Sequence, residues 1–529
     1  MTANPHAVDG ILAPPTSVLL GIVTGGLLAT LVGPWPHATR AEAEALAKMP
    51  CQTLNRQDPM PPVPLSRDVC DTFNRFAGNL MAMMQADPGP GFTLRFAQHV
   101  RVAGLDLSAG PGPLSDQIDN RIAPMTPGLT APLLTGTARP GLCTDCGVSR
   151  MGDGRACGKA CQFIQPDYPG LEAQVHGRAA DAERGDEAFF GVTQSMLRAR
   201  LTPAAEGAQW TGLTTALAAR LLETGAVTAV LTTAPDPADR WKPLPVIVTD
   251  PAAMADVRGM RMGFGPTLAL LEPARAAGHT RIAVIGIPCQ VYALRALEAD
   301  LGFDRIFVIG TPCSDNTTTE KFHDFLALLD PAPQTISYLE FRTDYKVELR
   351  YDDGRPTRAV PFLSLPISRL PADFFPLTCK TCVDYTNRLA DITVGYMGGD
   401  GDQWLIVRNA RGAELLALLS GQMTTRPLTD KGKREGAVKG FLANTALAAG
   451  GMPLRRMPDW LRPIVSFLQP RIGPRGLEFA RARVEMKAVE TVLHLRRTHP
   501  ARIKNMIPGH VWRLVARYGL TPGSDETRP

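Results

Sequence analysis

The sequence predicts an α/β protein in which a short cysteine-rich segment is followed by a mixed α/β core and a helical C-terminal region. Three apolar runs, at residues 226–233, 281–286 and 305–310, have the length of buried strands and lie between stretches with helical spacing. This alternation is typical of a parallel sheet covered by helices. The chain of 529 residues has room for several domains at roughly 150 residues each.

The mixed core is predicted over residues 186–425. A helix over 212–222 precedes the first strand, and Gly225 marks the boundary between them. The second and third strands each run into a Pro-Cys pair, which ends in Cys289 and in Cys313. Because the carboxyl ends of parallel strands meet at one edge of a sheet, both thiols are expected at that edge.

Two antiparallel strands are predicted next, at residues 334–341 and 345–351. The C-terminal region, 426–529, is predicted to form helices interrupted by prolines, with the clearest amphipathic pattern over 477–495.

The C-terminal region is basic. From Lys431 onward there are about nineteen Lys and Arg residues against about seven Asp and Glu residues. The excess indicates either a docking face for an acidic partner or the solvated faces of amphipathic helices, and both interpretations stay open. No nucleic-acid-binding motif accompanies the charge, so a nucleic-acid partner is not expected.

Residues 1–138 form an N-terminal extension whose role the sequence does not reveal, and a Pro/Gly-rich linker is predicted over 124–136. Within the extension, residues 17–35 are uncharged over about the length that a bilayer requires. This run predicts a buried helix or a membrane anchor, whereas a cleaved signal is less expected because no positive region precedes it. A cytoplasmic protein is expected, with membrane association through this run as the alternative.

Eight of the ten cysteines fall into two groups of four, and each group contains a C-x-x-C pair. The groups are Cys143, Cys146, Cys157, Cys161 and Cys289, Cys313, Cys379, Cys382. Four thiolates are what one 4Fe-4S cluster requires, so the two groups predict two clusters and redox chemistry. Structural disulfides would need an oxidising compartment, and two structural zinc sites would satisfy the same count. The small residues around Cys143 and Cys161 favour iron-sulfur clusters, whereas Cys51 and Cys70 stand apart and are interpreted as spare thiols.

Six stretches of the chain carry a resemblance to a known family. They are Glu206-Gly-Ala-Gln-Trp-Thr-Gly212, Gly286-Ile-Pro-Cys-Gln290, Gly310-Thr-Pro-Cys-Ser-Asp-Asn316, Asp344-Tyr-Lys-Val347, Cys379-Lys-Thr-Cys-Val-Asp-Tyr385 and Leu389-Ala-Asp-Ile-Thr-Val-Gly-Tyr-Met-Gly398. They resemble the beta-subunit family of deazaflavin-reducing hydrogenases and dehydrogenases and, within it, ferredoxin-dependent reductases of chlorophyll precursors. The resemblance covers about residues 140–520.

The resemblance implies a flavin-binding core and an FAD enzyme with two 4Fe-4S clusters. It implies that reduced ferredoxin donates electrons and that the 8-vinyl group of 3,8-divinyl chlorophyllide or protochlorophyllide is reduced in (bacterio)chlorophyll biosynthesis. A flavin suits this reaction, because it accepts single electrons and releases a pair. Two alternatives stay open: reduction of a 7-hydroxymethyl group, or an electron-transfer subunit of a deazaflavin-dependent oxidoreductase. No nucleotide fingerprint or P-loop supports direct use of a nicotinamide cofactor or ATP.

The resemblance also implies cofactor contacts and leaves the proton donor unidentified. The implied flavin contacts are Arg178, Trp210, Thr211, Gly212 and Asn316, several of them at glycine turns that precede helix starts. Core packing of Trp210, a surface ion pair of Arg178 and capping of the next helix by Asn316 are the simpler roles. Tyr385 and Tyr396 are proton-donor candidates, although a tyrosine in a core is commoner.

The cysteine segment, residues 139–185, is too short for its own apolar core and is expected to fold around its metal. It departs from the family motif C-x-x-C-G-x-C, because Ser149 stands where the third cysteine is expected. Cys157 is expected to supply the missing thiolate. If it does not, Ser149 or water would leave one iron labile.

Overall fold

The computed structural model describes residues 127–132, 134, 143–152, 156–164, 166–206, 208–342, 344–395, 401–453 and 457–527. The chain divides into two compact units. One comprises residues 1–133 and 236–239, and its described part includes a two-residue strand, Leu129–Thr130. The other comprises residues 134–235 and 240–529 and contains both cysteine groups. The finer division predicted from the sequence, with boundaries after 185 and 425, stays a prediction.

Several sequence predictions lie outside the described residues. They concern the apolar run 17–35, most of the linker over 124–136, and the residues Cys51, Cys70 and Tyr396. Among the residues that the structure does describe, no helix is both long and apolar enough to cross a membrane.

The helices and strands from residue 156 onward are numbered here in chain order. The helices are α1 (Ala156–Ala160), α2 (Tyr168–His176), α3 (Glu187–Phe190), α4 (Leu213–Glu223), α5 (Leu271–Ala276), α6 (Pro288–Leu297), α7 (Thr319–Leu329), α8 (Leu377–Lys380), α9 (Ala410–Ala417), α10 (Glu435–Leu447), α11 (Arg462–Ile472), α12 (Leu477–Thr498), α13 (Ile503–Met506) and α14 (Gly509–Ala516). The strands are β1 (Ser195–Leu201), β2 (Ala229–Asp236), β3 (Asp239–Val248), β4 (Arg281–Gly286), β5 (Arg305–Gly310), β6 (Ile336–Phe341), β7 (Lys346–Tyr351), β8 (Arg358–Pro361), β9 (Ile392–Gly395), β10 (Gln403–Val407), β11 (Met423–Arg426), β12 (Asp430–Lys431) and β13 (Arg475–Gly476).

One large mixed sheet organises the chain, with the strand order β3-β2-β4-β5-β9-β10-β1-β11. Strands β2, β4, β5 and β9 are parallel neighbours, whereas β10, β1 and β11 continue the sheet in antiparallel pairs. The α/β prediction is therefore confirmed. The predicted strands match β4 and β5 at both ends, while β2 begins three residues after the predicted start.

A smaller sheet pairs β6, β7 and β8 in antiparallel order. The first two of these strands confirm the predicted antiparallel pair. Their inner faces pack with α7 in an apolar cluster that includes Phe322, Leu326, Leu339 and Leu349. This second cluster lies apart from the main core, which extends from the large sheet to α12 and α14.

The long helix α12 of the C-terminal region is part of the core, since Val484, Ala488 and Val492 are buried in the main cluster. Its basic residues bind acidic groups from earlier in the chain. Arg481 pairs with Asp186 at 2.7 Å and with Asp430 at 2.8 Å. Part of the basic excess of this region therefore holds its helices against the core.

Asp391, directly before β9, is the most heavily coordinated carboxylate of the sheet. It and Arg295 of α6 are both 0% exposed, and the Arg295 Nη2 to Asp391 Oδ1 distance is 2.8 Å. Asp391 also accepts hydrogen bonds from the Val308 backbone, Asn409 and Arg411. Burial opposes ionisation of Asp391, but Arg295 and Arg411 outweigh it and lower its pKa. This carboxylate thus ties α6, β5, β9 and α9 together.

We expect Asp391→Asn to lower the free energy of unfolding by about 3–5 kcal/mol, because the buried Arg295 and its neighbour Arg411 lose the carboxylate that they share. Glu414→Gln, which breaks the half-exposed pair with Arg305, is the control and should cost less than about 1 kcal/mol. Urea unfolding at pH 7 measures both. A carboxylate with a lowered pKa contributes stability that is lost as the pH falls below its unfolded pKa of about 4. The difference between wild type and Asp391→Asn should therefore shrink below about pH 4; equal costs for the two variants at pH 7 would contradict this account.

Candidate functional site

Two of the predicted cysteines leave the large sheet at the same edge. Strands β4 and β5 pair in parallel from Arg281 opposite Arg305 to Gly286 opposite Gly310. Cys289 follows β4 at the start of α6, and Cys313 follows β5, as the sequence pattern predicts.

Cys379 and Cys382 complete a second neighbourhood of thiols around Cys289 and Cys313. Both lie at the short helix α8, where the Cys382 amide donates to the Cys379 carbonyl. Burial raises the pKa of Cys313, and Cys289 and Cys382 nearby raise it further. Burial likewise raises the pKa of Cys379, and the nearby Cys313 and Cys289 raise it further. The structure thus brings all four predicted residues together.

The first group gathers in the same way over residues 143–161. Burial raises the pKa of Cys146, and Cys143 and Cys161 are close enough to raise it further. Cys143 and Cys157 lie near Cys161 and raise the pKa of its thiol. Cys157 therefore neighbours Cys161 of the same group, as expected if it replaces the missing third cysteine of the motif.

Ser149 sits in the 3-10 turn Val148–Arg150, and its buried hydroxyl has no hydrogen-bond partner among the residues that the structure describes. The turn begins at Gly147, whose φ is +110°. A Cβ at Gly147 would come within 2.4 Å of the Ala269 amide nitrogen, so only glycine fits here. The close packing fixes the path of the chain between Cys146 and Cys157.

The two groups adjoin each other at Cys289. Cys289 neighbours Cys146 and Cys161, and these thiols affect one another's ionisation, although Cys289 belongs to the second group. The Thr144 hydroxyl donates to the Cys289 sulfur at 3.6 Å, and the Gln162 amide donates to the Cys382 sulfur at 3.9 Å. Residues of the first segment therefore contact the thiols of the second group.

The chemistry of this donor set suits clusters of iron and sulfide. Burial favours the neutral thiols, and it raises the pKa of Cys289 to about 11. A bound metal reverses this preference because the thiolate is the ligand. Within the described ranges no three His, Cys, Asp or Glu side chains are close enough to hold one metal ion. In a four-iron cluster each thiolate binds a different iron, so its cysteines lie further apart than the ligands of one ion.

A cavity of about 1200 Å³ lies at the carboxyl ends of β2, β4 and β5 and reaches the second cysteine group at Cys313. This volume exceeds the ~300–1,000 Å³ of ordinary small-molecule sites. The edge where parallel strands end is also the place where α/β proteins bind their ligands. The cavity can therefore hold a large cofactor beside the thiols, with space for a second ligand.

One end of the cavity is built from the turn before α4 and the segment 258–265. Trp210 and Gly212 line it, and both have positive φ, of 56° and 86°. Arg258 donates to the Glu206 carbonyl at 2.6 Å and so joins the two segments.

Arg261 is the most unusual group at this end. Its guanidinium donates to the carbonyls of Thr233, Val257 and Arg258, and its Nε is buried without a partner. Across the described part of the chain no carboxylate pairs with it. Burial lowers its pKa to about 10, so it stays charged at neutral pH. A guanidinium on a cavity wall that has carbonyl partners but no carboxylate partner is suited to an anionic ligand.

The other implied flavin contacts have mixed positions. Asn316 lines the cavity, where its side chain donates to the Gly263 carbonyl at 2.8 Å and accepts from the Gly263 amide at 3.1 Å. Thr211 is buried and contacts Gln403 and the Leu201 amide, so it holds the turn before α4 in place. Capping of the helix after Asn316 falls to Thr318, whose hydroxyl accepts from Lys321.

Arg178 lies outside the cavity wall. Its guanidinium binds both carboxylate oxygens of Glu187, at 2.7 Å and 2.5 Å. The structure thus shows the ion pair that the sequence left open as the simpler role. Its predicted contact with a cofactor phosphate receives no support from this geometry.

A charged cluster lies between the cavity and the second cysteine group. The buried Lys487 ammonium donates to Asp315 at 2.6 Å, to the Cys379 carbonyl at 2.7 Å and to Glu490 at 3.2 Å. Burial opposes its charge, but Asp315 and Glu490 raise its pKa above the usual value. Tyr385 also lines the cavity, and burial raises its pKa to about 12, so its phenol keeps its proton at neutral pH.

Arg261 and Lys487 did not emerge from the sequence. The signal around Arg261 is a cluster of glycines, Gly259, Gly263 and Gly265, which marks close approach of the backbone but not a charge. Lys487 is one of many basic residues on an amphipathic helix, and its acidic partner Asp315 lies far away in the sequence.

Sequence profiles of one family match the chain in two places. The N-terminal profile of the coenzyme F420 hydrogenase/dehydrogenase beta subunit matches residues 196–272, and the profile of its C terminus matches residues 279–431. The uncharacterized protein all1601 of Nostoc sp. is 35% identical over 380 residues, which cover 72% of this chain and 94% of that protein. The chain belongs to the coenzyme F420 hydrogenase/dehydrogenase beta-subunit family. The family predicted from the sequence is thus confirmed.

The chain is also similar to a named enzyme and to one solved structure. The chloroplastic 7-hydroxymethyl chlorophyll a reductase of Oryza sativa subsp. japonica is 35% identical over 390 residues, which cover 71% of this chain and 82% of that protein. The solved F420-reducing [NiFe] hydrogenase complex of Methanosarcina barkeri matches with a TM-score of 0.40 and 23% identity, over 45% of this chain and 84% of that chain.

Proposed function

We propose that this protein is an iron-sulfur flavoprotein oxidoreductase that reduces a chlorophyll precursor with electrons from reduced ferredoxin. The observation that carries the proposal is the pair of adjoining cysteine groups, one of which borders a large cavity. The relative named 7-hydroxymethyl chlorophyll a reductase supports an oxidoreductase that acts on a chlorophyll-type pigment. Our first candidate reaction is reduction of the 8-vinyl group of 3,8-divinyl chlorophyllide or protochlorophyllide to ethyl. A cytoplasmic location belongs to the same proposal.

Each cysteine group would hold one 4Fe-4S cluster, whose chemistry is to take up and release one electron at a time. The first set of ligands would be Cys143, Cys146, Cys157 and Cys161, and the second Cys289, Cys313, Cys379 and Cys382. Contact between the groups at Cys289 supports electron transfer from one to the other. Hydrogen bonds from Thr144 and Gln162 to sulfur would stabilise negative charge on the second group.

The cavity residues would hold FAD, whose chemistry is to convert single electrons into the pair that a C=C bond requires. Arg261 and Arg258, together with the N-terminus of α4 at Gly212, form a cationic end suited to a pyrophosphate. Trp210 and Asn316 also line the cavity and would contact the remainder of the cofactor. Thr211 would act through the turn that it holds, and Arg178 is left in its pair with Glu187.

Reduction of a vinyl group to ethyl takes up two protons with the two electrons. Tyr385 lines the cavity and keeps its phenolic proton at neutral pH, which makes it the described residue best suited to donate one. The cluster of Lys487, Asp315 and Glu490 lines the same cavity and would keep the site charged.

A reconstituted protein incubated with reduced ferredoxin should convert 3,8-divinyl chlorophyllide to the 8-ethyl product. The conversion is followed by the absorption spectrum and by chromatographic retention. The relative from Oryza sativa favours a second candidate reaction, at a 7-hydroxymethyl group, so that pigment is assayed in parallel. If only the hydroxymethyl pigment is turned over, the 8-vinyl reaction is rejected and the 7-hydroxymethyl reaction is the function. Turnover of neither, with persistent co-purification in a larger complex, would indicate an electron-transfer component of that complex.

Iron analysis tests the assignment of the cluster ligands. We expect about eight irons per chain in the wild type and about four in Cys157→Ser and in Cys382→Ser, since each variant removes one ligand of one cluster. Cys51→Ala is the matched control and should keep about eight. Full iron content in Cys157→Ser would mean that Ser149 or water completes the first cluster.

Flavin content tests the role of Arg261. Arg261→Gln should weaken FAD binding at least about tenfold, because it removes a charge-assisted contact worth roughly 1.5–3 kcal/mol. Arg261→Lys keeps the charge and should lose less, while iron content should stay unchanged in both variants. Arg240→Gln, which alters an exposed pair with Asp352, is the control. Wild-type FAD affinity in Arg261→Gln would remove this residue from the cofactor site.

A further inference from the structure

Helix α11 and the turn before it expose an apolar face to solvent. The side chains of this α11 face are Trp460, Ile464, Phe467, Leu468 and Ile472, with exposed fractions between 39% and 71%. Most are three or four residues apart, so they lie on one side of the helix. Of the seven large apolar side chains exposed in the described ranges, five belong to this face. An apolar surface that is this concentrated indicates a binding partner.

The same helix forms part of the cavity wall. Arg462, Val465, Gln469 and Ile472 line the cavity, and no residue of α11 is buried. Ile472 lines the cavity and is nevertheless 66% exposed, so the cavity opens to solvent next to α11. A partner on the α11 face would lie beside this opening.

The stretch of sequence that contains α11 is basic. Residues 447–476 contain five arginines and a single carboxylate, Asp459, which pairs with Arg462. Arg471 is exposed, and its guanidinium lies over the Phe467 ring at 4.1 Å. Arg475 donates to the Arg471 carbonyl. In the described part of the chain neither Arg471 nor Arg475 has a carboxylate partner. The partner should therefore be apolar at its centre and negatively charged around it.

We propose that the α11 face docks on the surface of an anionic lipid bilayer. A helix with aromatic and aliphatic residues on one side and arginines at its margin is suited to the boundary between acyl chains and acidic headgroups. A second copy of the chain is a poorer match, because a two-fold contact would bring the same arginines together. Docking places the cavity opening at the membrane, where an apolar pigment would enter. That last step rests on the proposed function, whereas docking does not.

Vesicle co-sedimentation with the purified full-length chain tests the proposal without any turnover. The wild type should bind vesicles of phosphatidylglycerol and phosphatidylcholine, and bind pure phosphatidylcholine more weakly. Trp460→Ser combined with Phe467→Ser should weaken binding at least about tenfold, because two aromatic anchors are lost. Arg471→Gln should weaken binding to the anionic vesicles only. Ile164→Ser, at an exposed apolar residue outside the α11 face, is the matched control and should bind like the wild type.

Circular dichroism verifies that each variant keeps its fold, which is expected because all the substituted side chains are exposed. If the Trp460→Ser, Phe467→Ser double variant binds vesicles as well as the wild type does, the proposal is overturned, since another part of the chain then binds lipid. Absence of vesicle binding would overturn it too. If size-exclusion chromatography then showed that the double variant dissociates an oligomer, the α11 face would be a contact between copies of the chain.

Discussion

The parallel register of β4 and β5 determines where the groups proposed to move electrons lie. Gly286 is opposite Gly310, so the chain leaves both strands at the same level and delivers Cys289 and Cys313 to one place. Asn387 locks this edge, because its amide donates to the Gly286 carbonyl at 2.8 Å and to the Thr311 carbonyl at 3.3 Å. A Cβ at Gly310 would come within 2.6 Å of Ala390, which explains the glycine. A slip of one residue would move one thiol away from the other.

Buried charges connect this edge to the rest of the fold. The pair of Arg295 and Asp391 joins the helix that carries Cys289 to the strand beside β5. Lys487 binds Asp315 and the Cys379 carbonyl, and so connects α12 to the two segments that carry Cys313 and Cys379. A buried charge is tolerated when its partners are complete, and each of these charges has several. Helix α12 is thus part of the candidate redox site.

The features that a local pattern encodes were predictable from the sequence. Apolar runs bounded by glycine gave β4 and β5, and the thiols at their ends followed from the geometry of a parallel sheet. Strand β10 was missed because all of its residues are buried, so it shows no alternation that separates it from other apolar runs. The role of Lys487 depends on Asp315, which is distant in the sequence. The role of Arg261 depends on the absence of a carboxylate partner among the described residues, which a local pattern does not show. Arg178 has the simpler role that the sequence left open, since this basic residue near a glycine turn pairs with Glu187.

The central claim is that the two cysteine groups hold two adjoining clusters, and electron paramagnetic resonance tests it most directly. In anaerobically purified protein reduced with dithionite, the account predicts two 4Fe-4S spins that couple, because Cys289 of one group neighbours Cys146 and Cys161 of the other. Loss of one ligand of the second group, in Cys382→Ser, should leave one uncoupled signal. A single uncoupled cluster in the wild type, or bound zinc without any signal, would contradict the account.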